Sequence, residues 1–267
     1  AGVNCIDCHN AHSLELLEKG NALCLQCHKQ TKFDTESHHF HPADTAAAQC
    51  VSCHMPAKNY MVIDSRRDHS FRVPRPDLSI STSSPNACNQ CHSNKSNEWS
   101  LSKMKQWYKK ESFPHHFAET IHTGRKGSVN AKELLLTLAE NNQQPMIARA
   151  TAMNLLQNYL DPTTLKTVRN GLSSKEPMIQ ISALNALDVL PSEERFQLAG
   201  SLLNDPIKSV RIQAASKLAS VSRSGLDDKQ TLQLETAIAE YITVQKGNSD
   251  RAFAHVNLGN LYIDYLD

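Results

Sequence analysis

The segments CIDCH (5–9), CLQCH (24–28), CVSCH (50–54) and CNQCH (88–92) decide how the first part of this 267-residue chain folds. Each has the form C-x-x-C-H, and together they use all eight cysteines. This form attaches a c-type haem. Two thiols separated by two residues reach the two vinyl groups of one macrocycle, and the histidine that follows reaches the iron. The sequence therefore predicts four covalently attached c-type haems.

The role of each motif residue follows from that chemistry. Thioether bonds to haem are predicted for Cys5, Cys8, Cys24, Cys27, Cys50, Cys53, Cys88 and Cys91. The proximal iron ligands are predicted to be His9, His28, His54 and His92. Disulfides or zinc sites built from the C-x-x-C pairs are the alternative. Zinc binding, however, does not require a histidine directly after the second cysteine of every pair.

Nine further histidines are available for the opposite, distal face of each iron. His12 follows the first motif by three residues and is predicted to bind a neighbouring iron. The cluster SHHFHP is too short for all of its histidines to be ligands, and His38 and His41 are the predicted ones. His69, in the segment DHSF, is the fourth predicted distal ligand.

Ligation by two histidines fills both axial positions of an iron. Such an iron transfers electrons and does not bind substrate. Met55 and Met61 are alternative axial ligands, which would raise the reduction potential of a haem. The abundance of histidine favours the bis-histidine interpretation.

Positive charge is concentrated between the third and fourth motifs. A guanidinium group is a two-pronged donor that suits carboxylates, so pairing with haem propionates is predicted for Arg66, Arg67, Arg72 and Arg75. A solvated basic loop is the alternative interpretation. The prolines and the serine run within residues 60–87 exclude a long helix there. Residues 94–112 are predicted to be helical, with one apolar face formed by Trp99, Met104, Trp107 and Tyr108.

The chain divides by composition into a predicted haem domain, 1–125, and a predicted helical domain, 126–267. The first is poor in aliphatic residues and rich in cysteine, histidine and proline. A segment of this composition does not bury a core of its own, so the haems are predicted to supply it. We therefore expect the first domain to be unfolded without haem.

The second domain shows an internal repeat of helical segments. Alanine recurs at a step of 31 residues at Ala152, Ala183 and Ala214, and leucine at Leu156, Leu187 and Leu218. The pattern over about 130–222 resembles HEAT repeats, which stack helix pairs into a solenoid, whereas a helical bundle is the alternative. Within about 228–267, Leu258, Gly259 and Tyr262 fit part of a tetratricopeptide helix, and the repeat is expected to be truncated.

Charge and hydropathy exclude some classes of function. The chain has 28 basic and 27 acidic residues, which does not favour nucleic-acid binding. No apolar run is long enough for a membrane span. Because c-type haem is attached outside the bacterial cytoplasm, a periplasmic or extracellular protein is predicted, with its signal peptide absent from this chain.

CIDCHNAHS followed by ALCLQCHK resembles the doubled motif of multihaem cytochromes c. The run CVSCHMPAKNYMVIDSRRDHSFRVPRPDLS followed by PNACNQCH resembles bacterial multihaem cytochromes that carry a C-terminal tetratricopeptide or HEAT-type region. The resemblance implies a mainly α fold, in which a loop-rich multihaem domain precedes a helical-repeat solenoid. It also implies closely stacked bis-histidine haems and a ligand at His69.

The predicted function is electron transfer along closely spaced haems, without catalysis. The helical repeats are predicted to dock a redox partner, and self-association into a filament of haem chains is left open. A multihaem enzyme of the nitrite or hydroxylamine class, or its electron-entry module, is the alternative. Nitrite reductases of that type have lysine in place of one motif histidine, and this chain lacks that variant. A scaffold in which the haems are mainly structural is a further alternative.

Overall fold

The computed structural model describes residues 2–266, and these form two compact units. Unit 1 ends at His115 and unit 2 begins at His116. A division after residue 125, as the composition suggests, would separate the helix Phe117–Arg125 from the helices Ala131–Glu140 and Met146–Leu155. The first of these packs against the other two, which is why the compact unit includes it.

Unit 1 consists of short helices, turns and one hairpin. Its helices are α1 (Ala22–Leu25), α2 (Gln30–Phe33), α3 (Glu36–His39), α4 (Cys50–His54), α5 (Pro76–Thr82), α6 (Cys88–Cys91) and α7 (Asn97–Tyr108). Short 3-10 turns occur at Cys5–Asp7 and Ala46–Ala48. Only α7 has three turns, and the Ser96 hydroxyl caps it by accepting the Trp99 backbone N–H at 3.2 Å.

The interior of unit 1 is small. Leu78 from α5 and Met104 from α7 are buried where these two helices pack together, and Ala48 is buried separately. Helix α7 was predicted as a helix within residues 94–112, and this prediction is confirmed with shorter ends. The rest of unit 1 therefore takes its path without an extensive apolar core.

A hairpin in unit 1 was not predicted. Strands β1 (Ala57–Tyr60) and β2 (Asp64–Arg67) pair antiparallel, with Ala57 opposite Arg67 and Tyr60 opposite Asp64. The connecting residues Met61 and Val62 have positive φ angles of 47° and 73°. Tight hairpin turns of this kind favour asparagine and glycine, so the sequence gives no turn signal at this position.

Unit 2 is helical throughout its described length. Its helices are α8 (Phe117–Arg125), α9 (Ala131–Glu140), α10 (Met146–Leu155), α11 (Pro162–Leu172), α12 (Pro177–Ala186), α13 (Ser192–Ala199), α14 (Lys208–Leu218), α15 (Asp228–Gly247) and α16 (Ala252–Leu266). Short 3-10 segments follow α10, α13 and α14, at Leu156–Tyr159, Gly200–Asn204 and Arg223–Gly225. Within residues 2–266, no helix has the length and apolar character that would cross a membrane.

The helices of unit 2 alternate between two series. One series is α9, α11 and α13, and the other is α10, α12 and α14, so successive members begin about 31 residues apart. Helices form at the three segments that were predicted to repeat, and these helices are α10, α12 and α14. All six repeated positions are fully buried: Ala152, Ala183, Ala214, Leu156, Leu187 and Leu218. Their burial explains why alanine and leucine recur at that step.

Polar side chains connect helices that are about one step apart in sequence. Lys132 Nζ lies 2.9 Å from Asp161 Oδ2, and Arg211 binds Glu240 with two hydrogen bonds of 2.7 and 2.8 Å. The Gln213 amide donates to the Asn185 side-chain oxygen at 2.7 Å. These partners are 28 or 29 residues apart, which extends the repeating pattern from the core to the polar surface.

Candidate haem-binding site

All four C-x-x-C-H motifs form a helical turn. The backbone N–H of the histidine donates to the carbonyl of the first cysteine in the motifs ending at His9, His28 and His92, at 2.8, 3.0 and 2.9 Å. The motif ending at His54 is itself helix α4. Residues one helical turn apart lie on the same face, so each motif presents both thiols and the imidazole to one side. We number the motifs site 1 to site 4 in chain order.

Three motif histidines lie opposite a second histidine. His9 of site 1 and His69 have ring centroids 6.5 Å apart, with 29° between their planes. His54 of site 3 and His38 are 6.2 Å apart at 11°. For His92 of site 4 and His41 the values are 6.3 Å and 31°. The structure thus brings three predicted distal ligands to three different predicted proximal ligands.

These distances fit a shared iron. An imidazole nitrogen binds a metal at about 2 Å and lies about 1 Å from the centre of its ring. Two imidazoles on opposite faces of one iron therefore have centroids roughly 6 Å apart. The repetition of the spacing in three separate pairs, each containing one motif histidine, supports haem iron between the rings more than chance aromatic contact.

Backbone carbonyls orient several of these rings. The Nδ1 atoms of His9, His54 and His69 lie 2.8, 3.0 and 2.9 Å from the carbonyl oxygens of Leu14, Arg72 and Arg67. The Nδ1 atom of His41 bonds the His39 carbonyl in the same way. An Nδ1–H that donates to a carbonyl leaves Nε2 with its lone pair, and Nε2 is then the metal-binding atom.

Left-handed backbone shapes the segments that carry the distal ligands. Phe40 has a φ of 56° and ends α3, so the chain reverses between His38 and His41. The reversal places His38 opposite His54 of site 3 and His41, three residues later, opposite His92 of site 4. Phe71, with a φ of 51°, turns the chain after His69. A left-handed non-glycine residue is uncommon, so these turns are not evident from the sequence.

The remaining two candidates, His28 and His12, do not form such a pair. The His28 ring contacts Phe33 edge-on, with centroids 5.4 Å apart and planes at 85°. Phe33 makes a similar contact with His38 at 5.4 Å and 88°. His12 is exposed, and its backbone N–H donates to the Asn10 side chain. Within residues 2–266, the structure brings neither His12 nor any other histidine ring into contact with His28.

The four motifs form a continuous series of neighbours. Burial raises the pKa of the Cys50 thiol to about 11, and the nearby Cys24 thiol of site 2 adds to the shift. Burial also raises the pKa of Cys8 and Cys53, with further contributions from thiols of the next site along the chain, Cys24 for Cys8 and Cys88 for Cys53. Each site therefore lies beside the next, in the order of the sequence.

Polar contacts reinforce these junctions. The Asn21 side chain, next to site 2, accepts the Cys50 backbone N–H at 2.8 Å and donates to Asp34 and to the Ala48 carbonyl. The Gln90 amide of site 4 donates to the Ala57 carbonyl at 3.1 Å, three residues after site 3. These bonds fix the spacing between motifs that are distant in sequence.

The arginines predicted to pair with propionates have different surroundings. Arg67 Nη1 donates to the carbonyls of Met55 and Val51 at 3.2 and 3.4 Å, which anchors the end of α4 at site 3. Arg66 pairs with Asp64, and Arg75 forms a two-pronged pair with Asp77. Arg72 contributes its carbonyl to His54. A guanidinium has five donors, so propionate pairing stays a prediction for all four.

Aromatic side chains of α7 flank site 4, which the sequence did not predict in detail. Trp99 lies 4.9 Å from His92, centroid to centroid. Trp107 lies 6.0 Å from His41 and stacks on Phe40 at 4.7 Å and 4°. A helix with tryptophan near both ends thus contacts both rings of the His41–His92 pair. The sequence indicated only that the aromatic residues of this helix share an apolar face.

The surface around the motifs suits an apolar macrocycle. Exposed apolar side chains in unit 1 include Ile6, Leu14, Leu16, Leu17, Phe71 and Val73. Several of them lie beside site 1 or follow His69 in sequence, where a haem held by the His9–His69 pair would be covered by them. The residues present therefore fit haem in both ligand chemistry and apolar contact.

The cysteines form no other structure that explains their spacing. All eight are free thiols. Within residues 2–266, no group of three or more histidine, cysteine, aspartate or glutamate side chains has the arrangement of a metal-ion site.

Comparison with known families gives one match. Residues 1–33 match the family model described as Doubled CXXCH motif, which covers 33 of the 267 residues. No curated protein and no solved structure matches the chain significantly. The match supports a multihaem c-type cytochrome with covalently bound haem. Attachment of c-type haem takes place outside the cytoplasm.

Proposed function

We propose that this protein is an electron-transfer cytochrome with four c-type haems, three of which have bis-histidine ligation. The observation that carries the proposal is the set of three histidine pairs at 6.2–6.5 Å, each with one motif histidine. His9 and His69 are assigned to site 1, His54 and His38 to site 3, and His92 and His41 to site 4. Bound haem supplies a reversible one-electron couple.

The chain's own residues support this role in three ways. The paired histidines of sites 1, 3 and 4 would hold a haem iron from both sides, which would disfavour substrate binding there. The backbone carbonyls at Nδ1 hold the rings in place. Besides burial, the thiols of neighbouring sites raise the pKa of Cys8, Cys50 and Cys53, which supports close spacing along the series, and rapid electron exchange requires close spacing.

The test is the removal of each distal histidine from the holoprotein. We expect His38→Ala, His41→Ala and His69→Ala each to convert one haem from low spin to high spin, and added imidazole to reverse the change. His39→Ala is the matched control, because His39 lies within the same cluster and pairs with no motif histidine. EPR and visible spectra measure the outcome. Unchanged spectra for all three variants would refute the assignment.

Site 2 supports a second candidate function. Its histidine, His28, has a phenylalanine neighbour where the other three motif histidines have a histidine. An iron with an exchangeable position at this site would bind small ligands, as in enzymes of the nitrite or hydroxylamine class. Titration of the holoprotein with cyanide, nitrite and hydroxylamine distinguishes the two. A spectral change at one haem of four favours this candidate, and inertness favours electron transfer with a further ligand such as His12.

For unit 2 we propose a solenoid of stacked helix pairs that docks a redox partner or a second copy of the chain. Its support is the recurrence of buried alanine and leucine in α10, α12 and α14. Met146, Met178 and Ile207 each follow a proline near the start of one of these helices, and all three are exposed. We expect Met178→Lys to slow electron exchange with the partner, or to reduce self-association in sedimentation, without altering the haem spectra.

Covalent haem attachment supports a location in the periplasm or outside the cell. Fractionation of cells that produce the full-length protein, followed by haem staining, separates the two compartments. Haem-stained protein confined to the cytoplasm would contradict both.

A further inference from the structure

Both ligands of site 1 donate an Nδ1–H to a backbone carbonyl. His9 bonds the Leu14 carbonyl at 2.8 Å, and His69 bonds the Arg67 carbonyl at 2.9 Å. A carbonyl that accepts from a ligand imidazole makes the ring a more basic, more electron-donating ligand. Stronger donation stabilises ferric iron relative to ferrous iron and so lowers the reduction potential.

Sites 3 and 4 each have only one histidine whose Nδ1–H donates to a backbone carbonyl. At site 3, His54 bonds the Arg72 carbonyl, whereas His38 contacts the Phe33 ring. Site 4 has a carbonyl at His41, whereas His92 contacts Trp99. In the part of the chain that the structure describes, the rings of His38 and His92 make no hydrogen bond.

The histidines of the three sites also differ in solvent exposure. His69 is exposed, whereas His9 is partly buried. The ligands of sites 3 and 4 are all partly buried, and site 4 is lined by Trp99, Trp107 and Phe40. Water stabilises the extra positive charge of ferric iron, and an apolar surrounding disfavours it. Hydrogen bonding, together with the exposure of His69, therefore lowers the potential of site 1 relative to sites 3 and 4.

We infer that site 1 has the lowest reduction potential of the three histidine-paired haems, and that the carbonyls of Leu14 and Arg67 set it. This inference rests on the proposed haem ligation. At equilibrium, electrons occupy sites 3 and 4 before site 1. Site 1 is then the reducing end of the series, from which transfer toward sites 3 and 4 is downhill. Leu14 acts as a positioning residue through its backbone.

The conformation of Leu14 offers a specific way to move one carbonyl. Leu14 has a φ of 61°, and its side chain is 73% exposed, so the backbone carries the contact. Glycine adopts a positive φ readily, whereas proline is restricted to a φ near −65°. The loop is also held by Asn10, whose side-chain oxygen accepts the backbone N–H groups of His12 and Ser13 at 2.9 and 3.1 Å.

The experiment compares Leu14→Pro with Leu14→Gly in the full-length holoprotein. Spectroelectrochemical titration gives the potentials, and the haem that becomes high-spin in His69→Ala identifies site 1. We expect Leu14→Pro to increase the equilibrium constant for reduction of site 1 on the order of tenfold, about 59 mV for one electron. Leu14→Gly removes the same side chain but keeps the positive φ, so the difference between the two variants at site 1 measures the effect of the carbonyl. Sites 3 and 4 are internal controls in both variants.

Asn10→Ala provides a second route if Leu14→Pro does not fold. It loosens the same loop without altering a ligand, and a smaller rise confined to site 1 is expected. The inference is overturned if site 1 does not have the lowest potential of the three, or if neither variant raises it. If His69→Ala leaves every haem spectrum unchanged, the ligand assignment itself has failed, which is a separate result.

Discussion

The two units of this chain differ in how many apolar side chains they bury. In unit 1, the buried apolar side chains among residues 2–115 are Ala48, Pro76, Leu78 and Met104. In unit 2, one cluster extends from Ala131 to Leu261 and includes residues of successive helices. Unit 2 is stabilised by burial of its own apolar surface. Unit 1 buries too little apolar surface to be stabilised in this way.

The two units also differ in backbone strain. All non-glycine residues with positive φ in the described part of the chain lie between Leu14 and Lys109, within unit 1. Left-handed residues of this type cost roughly 1 kcal/mol or more each. Such a path persists only if other interactions compensate for it. In unit 1, covalent attachment and iron ligation are the interactions that the residues support.

The largest expected effect is the loss of unit 1 in the absence of haem. Full-length protein produced without haem attachment should lose ordered structure in residues 2–115 and keep it in residues 116–266, because only unit 2 has an apolar core. Limited proteolysis with mass spectrometry, together with NMR spectra, measures this. If residues 2–115 of the protein made without haem resisted proteolysis as well as residues 116–266 do, unit 1 would not depend on haem for its structure.

A core substitution in unit 2 should have the next largest effect, which is on the free energy of unfolding of this unit. Leu187 is fully buried at one of the repeated positions. We expect Leu187→Ala to lower the free energy of unfolding of unit 2 by about 2–5 kcal/mol, because a cavity replaces packed side chain. Haem spectra should not change. Leu232→Ala, at an exposed position of α15, is the control, with an expected change below about 0.5 kcal/mol.

Gly171 tests how closely the helices of unit 2 approach. A Cβ at this position of α11 would lie 2.8 Å from Met153 Cε and 3.0 Å from Ala183 Cβ. We expect Gly171→Ala to destabilise unit 2 by about 1–3 kcal/mol through overpacking, although alanine favours helix. Gly259→Ala in α16 meets nothing within 4 Å and should stabilise its helix by about 0.5–1 kcal/mol. Denaturant unfolding compares the two, and equal effects would contradict close packing at Gly171.

The smallest effect concerns pH. Asp161 caps α11, and the Thr164 backbone N–H, followed by Lys132, lowers the pKa of its carboxyl to about 2. Because the folded-state pKa lies below the unfolded value of about 3.9, the carboxylate stabilises unit 2 above about pH 4 and this contribution is lost toward pH 2. Asp161→Asn should therefore lower Tm near neutral pH, with a difference that shrinks in acid.

Asp228→Asn is the control for this measurement. Asp228 is an exposed carboxylate in the first turn of α15, and it makes no ion pair within residues 2–266. Melting curves of both variants are recorded from about pH 7 to about pH 3. A similar pH dependence for both variants would exclude a specific role of Asp161.

Helices that have a periodic sequence pattern were predicted correctly. The helices α10, α12 and α14 form where the repeated segments predict them, and burial at the six repeated positions explains the period. Helix α7 also forms as expected. The hairpin Ala57–Arg67 was missed, because residues in the left-handed conformation at Met61 and Val62 contradict ordinary turn preferences. Phe33 and Trp99 were not recognised as neighbours of motif histidines, since their contacts depend on tertiary packing.

The sequence alone determined the attachment chemistry, because C-x-x-C-H brings its thiols and imidazole together within one helical turn. It also determined that the chain is mainly helical, through residue periodicity. Only the tertiary structure decided which distal histidine lies opposite which motif. His69 reaches His9 across 60 residues, and a left-handed Phe40 sends His38 and His41 to different sites. Contacts between distant segments have no local signature, so their pairing depends on the path of the whole chain.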